Sequence, residues 1–285
     1  MSELRSTDEL QHGVVRRETC SLATVRRVAA MLDQDPDQWS EGDPLPRGWQ
    51  FILLGADTRR SAIREDGFAG LGVPLPDLGL PRLMLGGRTV RFENDIRIGT
   101  TVRRESKIQK LSQKETSDGP RAIVTVEHAL YAEETCRPVL TETQTYIMLN
   151  ARPGAGKVND PGNAASLATM KRIVPDETLL FHYSALGFNS HRIHLDRDFA
   201  RQAEGFPDLV VNGGLATLLL TELLRNELGG ALTSLAAKHV APLFCGRPIF
   251  LGSDRQEDKW LLRAFDDSGR LAVEIQADAS TESRI

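Results

Sequence analysis

Three imidazoles, an amide and a guanidinium are concentrated in one short stretch of the chain, residues 181–196. His191 and His194 stand three positions apart, Asn189 precedes them, and Arg192 lies between them. Imidazole exchanges a proton near neutral pH, and an amide side chain can hold a water molecule. This combination of side chains predicts acid–base chemistry on a bound small molecule.

A second stretch, residues 209–220, predicts a cradle for negative charge. It begins with three apolar residues, continues through Asn212, Gly213 and Gly214, and then becomes apolar on almost every helical face. A helix of that kind must be buried. Its glycine-rich start leaves backbone N–H groups open to a ligand, at the end where the helix dipole favours an anion.

Together the two stretches resemble the hydratase signature of MaoC-like, R-specific enoyl-CoA hydratases. The residues that carry the likeness are Tyr183, Ser184, Ala185, Leu186, Asn189, His191, Ile193, His194 and Asp196. The Phe-Asn-x-His-Arg-Ile-His-x-Asp spelling is closer to the hydroxyacyl-thioester dehydratase type 2 branch, which includes mesaconyl-CoA and itaconyl-CoA hydratases. Residues 49–54, 66–67 and 80–88 resemble the same branch, so the likeness runs from about residue 22 to residue 277.

The resemblance implies addition of water to a double bond conjugated to a thioester. His194 falls on the family histidine and is expected to act as acid and base. Asn189 falls where the family has aspartate; an amide cannot be a general base, so Asn189 is expected to position water. Gly213 is expected to donate its N–H to the thioester oxygen. Each residue also has a simpler interpretation. His194 could be a histidine of the core, Asn189 a turn residue, and Gly213 an ordinary glycine at a helix start.

The same resemblance implies a short enoyl-CoA that carries a free carboxylate, such as itaconyl-CoA or mesaconyl-CoA, and a role in itaconate degradation. Such a carboxylate calls for a cation, and arginine matches it best. Arg82, Arg88 and Arg192 are the candidates, with His191 beside the site, although each arginine also fits a solvated surface charge. The alternatives are a dehydratase of fatty-acid synthesis and a thioesterase or non-catalytic acyl-CoA-binding protein.

Composition and spacing limit the other ligands. No third residue at metal-ligand spacing accompanies the two histidines, so no metal is expected, and CoA enters only as part of the substrate. The net charge of −4 argues against nucleic-acid and anionic-membrane partners. Three widely spaced cysteines indicate reduced thiols in the cytoplasm. No apolar run approaches the length of a membrane-spanning helix. A homodimer is possible from the sequence.

The fold class expected from pattern and resemblance is α+β, a double hotdog in which each half wraps an antiparallel sheet around a long helix. Alternating strands are predicted within residues 89–149 and 235–277, and a helix is predicted within 22–32. The predicted domains are 1–149 and 166–285, joined by a Gly/Pro/Asn-rich linker at 150–165 that lacks full phosphate-loop spacing. Residues up to about Arg16 are predicted to form a mobile arm.

Overall fold

The computed structural model describes residues 13–117, 119–132, 135–150, 170–227, 231–256 and 259–280, and it shows ten antiparallel strands in one sheet. The strands are β1 (Val14–Thr19), β2 (Arg82–Phe92), β3 (Thr101–Thr116), β4 (Gly119–Ala132), β5 (Leu140–Leu149), β6 (Lys171–Ile173), β7 (Leu232–His239), β8 (Ile249–Gln256), β9 (Lys259–Phe265) and β10 (Leu271–Ala279). The helices are α1 (Leu22–Met31), α2 (Glu177–Leu186) and α3 (Gly213–Glu227). None of them is long and apolar enough to cross a membrane.

The strand order shows that the two halves repeat one plan. It runs β1-β3-β4-β5-β2 and continues through β7-β10-β9-β8-β6, so the second half repeats the first in reverse across a central seam. At that seam Gly87 pairs with Lys238 and Arg91 with Ser234. The halves therefore form one continuous sheet. Most of the predicted linker lies in residues 151–169, outside the described residues, and the domain division stays a prediction.

The second half contains the long buried helix. Leu215, Leu218, Leu220 and Leu224 of α3 are almost completely shielded from solvent, and the helix packs on β8 and its neighbours. In the first half the segment before β2 is instead a short 3-10 stretch, Trp49–Leu53, followed by irregular chain. Its sequence allowed a strand or a short helix, and the structure selects the helix.

Two smaller expectations were wrong. Residues 14–16 are not part of an arm, because Val14–Thr19 forms β1 and pairs with β3. Residues 95–99 alternate like a strand but form no ladder; the backbone N–H groups of Leu45 and Ile98 instead join this segment to residues 43–45. Both misassignments concern partners that lie far away in sequence, which local patterns do not encode.

Candidate active site

A tight turn after α2 places the two histidines inside the molecule. The first residues of the predicted catalytic stretch are the end of α2, and Phe188 follows in a left-handed conformation at φ +48°. The Asn189 N–H then donates to the Ser184 carbonyl at 2.8 Å. This reversal returns the chain to the protein, so that His191 and His194 are both buried at a 3-10 turn.

His194 is held in one tautomer. Its Nδ1 lies 2.7 Å from the carbonyl oxygen of Val210. A carbonyl can only accept, so Nδ1 carries the hydrogen and Nε2 keeps its lone pair. Burial, assisted by the nearby His191, lowers the pKa of His194 to about 3. The ring is therefore a neutral imidazole whose Nε2 can accept a proton.

The segment that leads into α3 is bonded to this ring and to its turn. The Val210 N–H donates to the Ile193 carbonyl at 2.9 Å, which fixes the strand-like approach to the helix against the histidine turn. The Asn212 carbonyl accepts the first helical bond, from Ala216, at 3.1 Å. The N–H groups of Gly213 and Gly214 consequently have no acceptor within the helix. The structure thus joins His194 to Val210, three residues before Gly213, and the catalytic pairing of His194 with Gly213 stays a prediction.

Both glycines are surrounded by side chains. A β-carbon on Gly214 would lie 2.1 Å from the Tyr183 hydroxyl and 3.3 Å from Nη2 of Arg88. A β-carbon on Gly213 would lie 3.2 Å from Nδ1 of His239. Residue 214 must therefore be glycine for the helix to start against Tyr183.

Two asparagines lie near the histidines. The Oδ1 of half-buried Asn189 accepts the His191 N–H at 3.1 Å, so the amide nitrogen and the second lone pair of Oδ1 remain available for water. Asn212 is buried, and its Nδ2 donates to the Ser184 hydroxyl at 3.2 Å. Its Oδ1 has no partner among the described residues. A buried acceptor of this kind is suited to a water molecule.

The three candidate arginines occupy different environments. Arg192 is exposed and bonds Asp196 at 2.7 Å, and Arg82 bonds Glu204 at 2.8 Å. Arg88 is buried and lies 3.3 Å from Glu142. Only Arg88 is brought to the start of α3.

His191 lies between the His194 ring and the 66–81 loop. Its ring meets that of His194 edge-on, with centroids 5.6 Å apart, and its Nε2 is 3.8 Å from Asp66. Burial lowers the pKa of His191 to about 4. His191 therefore borders the proposed base as a second neutral imidazole.

Sequence reasoning gave no role to Asn212, Tyr183 or His239. Burial lowers the pKa of His239 to about 3, and its Nε2 lies 3.4 Å from the Thr217 hydroxyl on α3. The signal for Asn212 was its place immediately before the two glycines. His239 stands on a strand 27 residues after Asn212 and follows no motif, so only the fold places it here.

An apolar cavity of about 350 Å³ lies beneath the 66–81 loop. The Phe68 ring on its wall meets the His191 ring at 5.7 Å between centroids, and the Asp66 carbonyl accepts the Arg192 N–H at 2.8 Å. The cavity therefore borders the histidine turn. Its walls include Leu71, Leu75, Leu78, Leu83 and Met148.

Metal-ligating side chains do not gather at this site. Within the described ranges, no group of three or more His, Cys, Asp or Glu side chains could hold an ion. That no metal is needed stays a prediction.

Known proteins resemble this chain along most of its length. Residues 48–245 match the sequence model of the family described as hydroxyacyl-thioester dehydratase type 2. The mesaconyl-C(4)-CoA hydratase of Chloroflexus aurantiacus is 33% identical over 255 residues, which cover 88% of this chain and 90% of that protein.

Solved structures confirm the fold. A MaoC-like dehydratase from Phytophthora capsici has a TM-score of 0.71 at 14% identity, covering 99% of this chain and 100% of its own. A Mycobacterium tuberculosis protein described as a double hotdog has a TM-score of 0.54 at 16% identity, covering 95% and 97%. The α+β double-hotdog prediction is therefore confirmed. The long helix expected in each half is found only in the second half of the described residues, since the first half has the short Trp49–Leu53 stretch before β2.

Proposed function

Since this chain belongs to the hydroxyacyl-thioester dehydratase type 2 family and is a hydro-lyase, we propose that His194 is its acid–base catalyst in hydrating an enoyl-CoA. The observation that carries the proposal is the single hydrogen bond from His194 to the Val210 carbonyl. It leaves Nε2 free to act as a base, and it ties the ring to the segment that leads into α3.

The proposed reaction uses one proton-transfer group twice. Nε2 of His194 takes a proton from water while the water oxygen bonds to the β-carbon. The electron pair of the double bond moves toward the thioester oxygen, where the Gly213 N–H stabilises the negative charge. The imidazolium then returns its proton to the α-carbon. The Asn189 amide nitrogen orients the attacking water.

The proposed substrate is a short enoyl-CoA with a free carboxylate, of the mesaconyl or itaconyl type. The name of the Chloroflexus aurantiacus relative supports this class, and so does the buried Arg88. Asn189 also supports it, because an aspartate at this position would repel a substrate carboxylate, whereas an amide would not.

Hydration assays on His194→Ala test the proposed function. Loss of the base should lower kcat by roughly 10²- to 10⁴-fold with crotonyl-CoA and with mesaconyl-C(4)-CoA. His182→Ala is the matched control, because His182 belongs to the same stretch but is exposed. Full activity in His194→Ala would disprove the mechanism.

The apolar cavity favours a second candidate function, dehydration of longer 3-hydroxyacyl thioesters. A cavity of about 350 Å³ beside the histidine turn is suited to an alkyl chain. Rates for acyl groups of four to ten carbons distinguish the two functions. A kcat/KM that rises with chain length, and falls when Leu78→Trp fills the cavity, would favour the dehydratase.

The proposed reaction involves no cofactor apart from the CoA of the substrate. A cytoplasmic location and a homodimer remain predictions. Sedimentation equilibrium of the full chain tests the dimer directly.

A further inference from the structure

Arg88 is a buried cation with unused hydrogen-bonding capacity. Its side chain is 9% exposed, and its Nη1 lies 3.3 Å from the Glu142 carboxylate. The buried Nε has no hydrogen-bond partner among the described residues. A guanidinium has five N–H donors, and leaving them unmet in the interior is costly.

Glu142 is satisfied by other groups. Gln50 donates to one of its oxygens at 3.0 Å, and Gln144 donates to the other at 2.7 Å. Because Glu142 accepts from both amides, the pair with Arg88 has a surplus of donors. An anion or other strong acceptor would complete that pair.

A second nitrogen of Arg88 and a phenol hydroxyl adjoin the start of α3. Arg88 Nη2 and the Tyr183 hydroxyl both adjoin Gly214, at 3.3 Å and 2.1 Å from the position of its absent β-carbon. Burial raises the pKa of Tyr183 to about 12, so its hydroxyl stays protonated and can donate. A guanidinium, a phenol and the positive end of a 15-residue helix thus converge on one point.

We propose that Arg88, Tyr183 and the start of α3 form an anion subsite for a carboxylate carried on the β-carbon of the acyl group. The subsite rests on the proposed function, because His194 and Gly213 define where the thioester lies. Arg82 and Arg192 are already paired with Glu204 and Asp196 and lie outside the subsite.

A second buried arginine provides the matched control. Arg104 is also buried and also has an unpartnered Nε. Its other nitrogens donate to the carbonyls of Leu53 and Gly55, at 2.9 Å and 3.0 Å. Neither acceptor belongs to α3. Replacing Arg104 removes a buried guanidinium whose hydrogen bonds go to neither Arg88, Tyr183 nor α3.

Equilibrium binding of two saturated thioesters, which have no double bond to hydrate, tests the subsite without relying on turnover. Succinyl-CoA and butyryl-CoA both have four acyl carbons, but only succinyl-CoA has a carboxylate on the β-carbon. The wild-type protein should bind succinyl-CoA about tenfold to a hundredfold more tightly. In Arg88→Gln the two affinities should become similar, and Tyr183→Phe should lose part of the preference. Arg104→Gln should keep the wild-type ratio.

The double variant Arg88→Gln/Glu142→Gln keeps the test valid if Arg88→Gln alone fails to fold, because it removes both charges together. An unchanged preference for succinyl-CoA in a folded Arg88 variant, or no preference in the wild type, would overturn the subsite. Hydration of crotonyl-CoA together with that result would leave the proposed function intact. A clear preference without any hydration would overturn the function and leave the subsite standing.

Discussion

At the scale of single residues, the state of His194 is set by burial and by one carbonyl. Water cannot solvate an imidazolium at this position, and the Val210 carbonyl selects the Nδ1–H tautomer. The proposed base is therefore ready without first losing a proton. Asn189 stands where the family has an aspartate, and its neutral amide contributes no negative charge to the site.

The low pKa of His194, about 3, predicts the pH dependence of hydration. The free enzyme keeps Nε2 unprotonated as pH falls, so kcat/KM should stay level between pH 8 and about pH 5.5. Initial rates with crotonyl-CoA measure this. An acidic limb centred near 6.5, the ordinary histidine value, would show that His194 is solvated or is not the base.

At the scale of elements, the start of α3 depends on two glycines for different reasons. Gly214 gives space to the Tyr183 hydroxyl, whereas Gly213 is in tight contact with His239 and Leu85. Tyr183 is itself fixed by stacking on Phe51, with ring centroids 4.5 Å apart. Helix α2 and the Trp49–Leu53 stretch therefore determine how α3 can begin.

Alanine substitutions should separate the two glycines. Gly214→Ala should lower the free energy of unfolding by about 1–3 kcal/mol, because the new methyl group overlaps a fixed phenol. Gly213→Ala should cost less, since its nearest contacts are at 3.2–3.3 Å and alanine favours helix. Urea unfolding of both variants measures the difference.

Tyr183→Phe tests the cause in the Gly214→Ala background. Removing the hydroxyl should recover part of the lost stability, because the oxygen that would lie 2.1 Å from the new β-carbon is gone. No recovery in the double variant would show that the phenol is not the obstacle.

At the scale of the whole molecule, four histidines are neutral inside the protein. Burial lowers the pKa of His128 and His191 to about 4, and that of His194 and His239 to about 3. They lie on both sides of the seam, on β4, β7 and the turn after α2. In mild acid these four histidines therefore stay unprotonated in the folded chain but become protonated in the unfolded chain.

Stability should fall steeply in mild acid. Between about pH 6.5 and pH 4 the unfolded chain binds more protons, so each buried histidine removes up to about 1.4 kcal/mol of unfolding free energy per pH unit. Urea unfolding at pH 7, 6 and 5 measures the slope. His128→Gln should reduce the slope by the contribution of one proton, about 1.4 kcal/mol per pH unit. An unchanged slope would contradict the prediction.

Local patterns were sufficient where neighbours in sequence decide the structure. Spacing predicted α1, where Ser21 caps the helix and Val25, Val28 and Ala29 are buried. The glycine pair and the apolar run predicted the buried α3. The strand prediction for residues 95–99 was wrong because alternation indicates which side chains are buried. It does not indicate which hydrogen bonds the backbone makes.

The sequence by itself determined the family, the antiparallel strands and the buried helix. All of these follow from short-range spacing or from a contiguous motif. Only the tertiary structure decided that Arg88 and His239 join Tyr183 at the start of α3, while Arg82 and Arg192 pair elsewhere. The reason is that β2 and β7 meet only across the seam, and pairing between strands about 150 residues apart depends on the packing of the whole sheet.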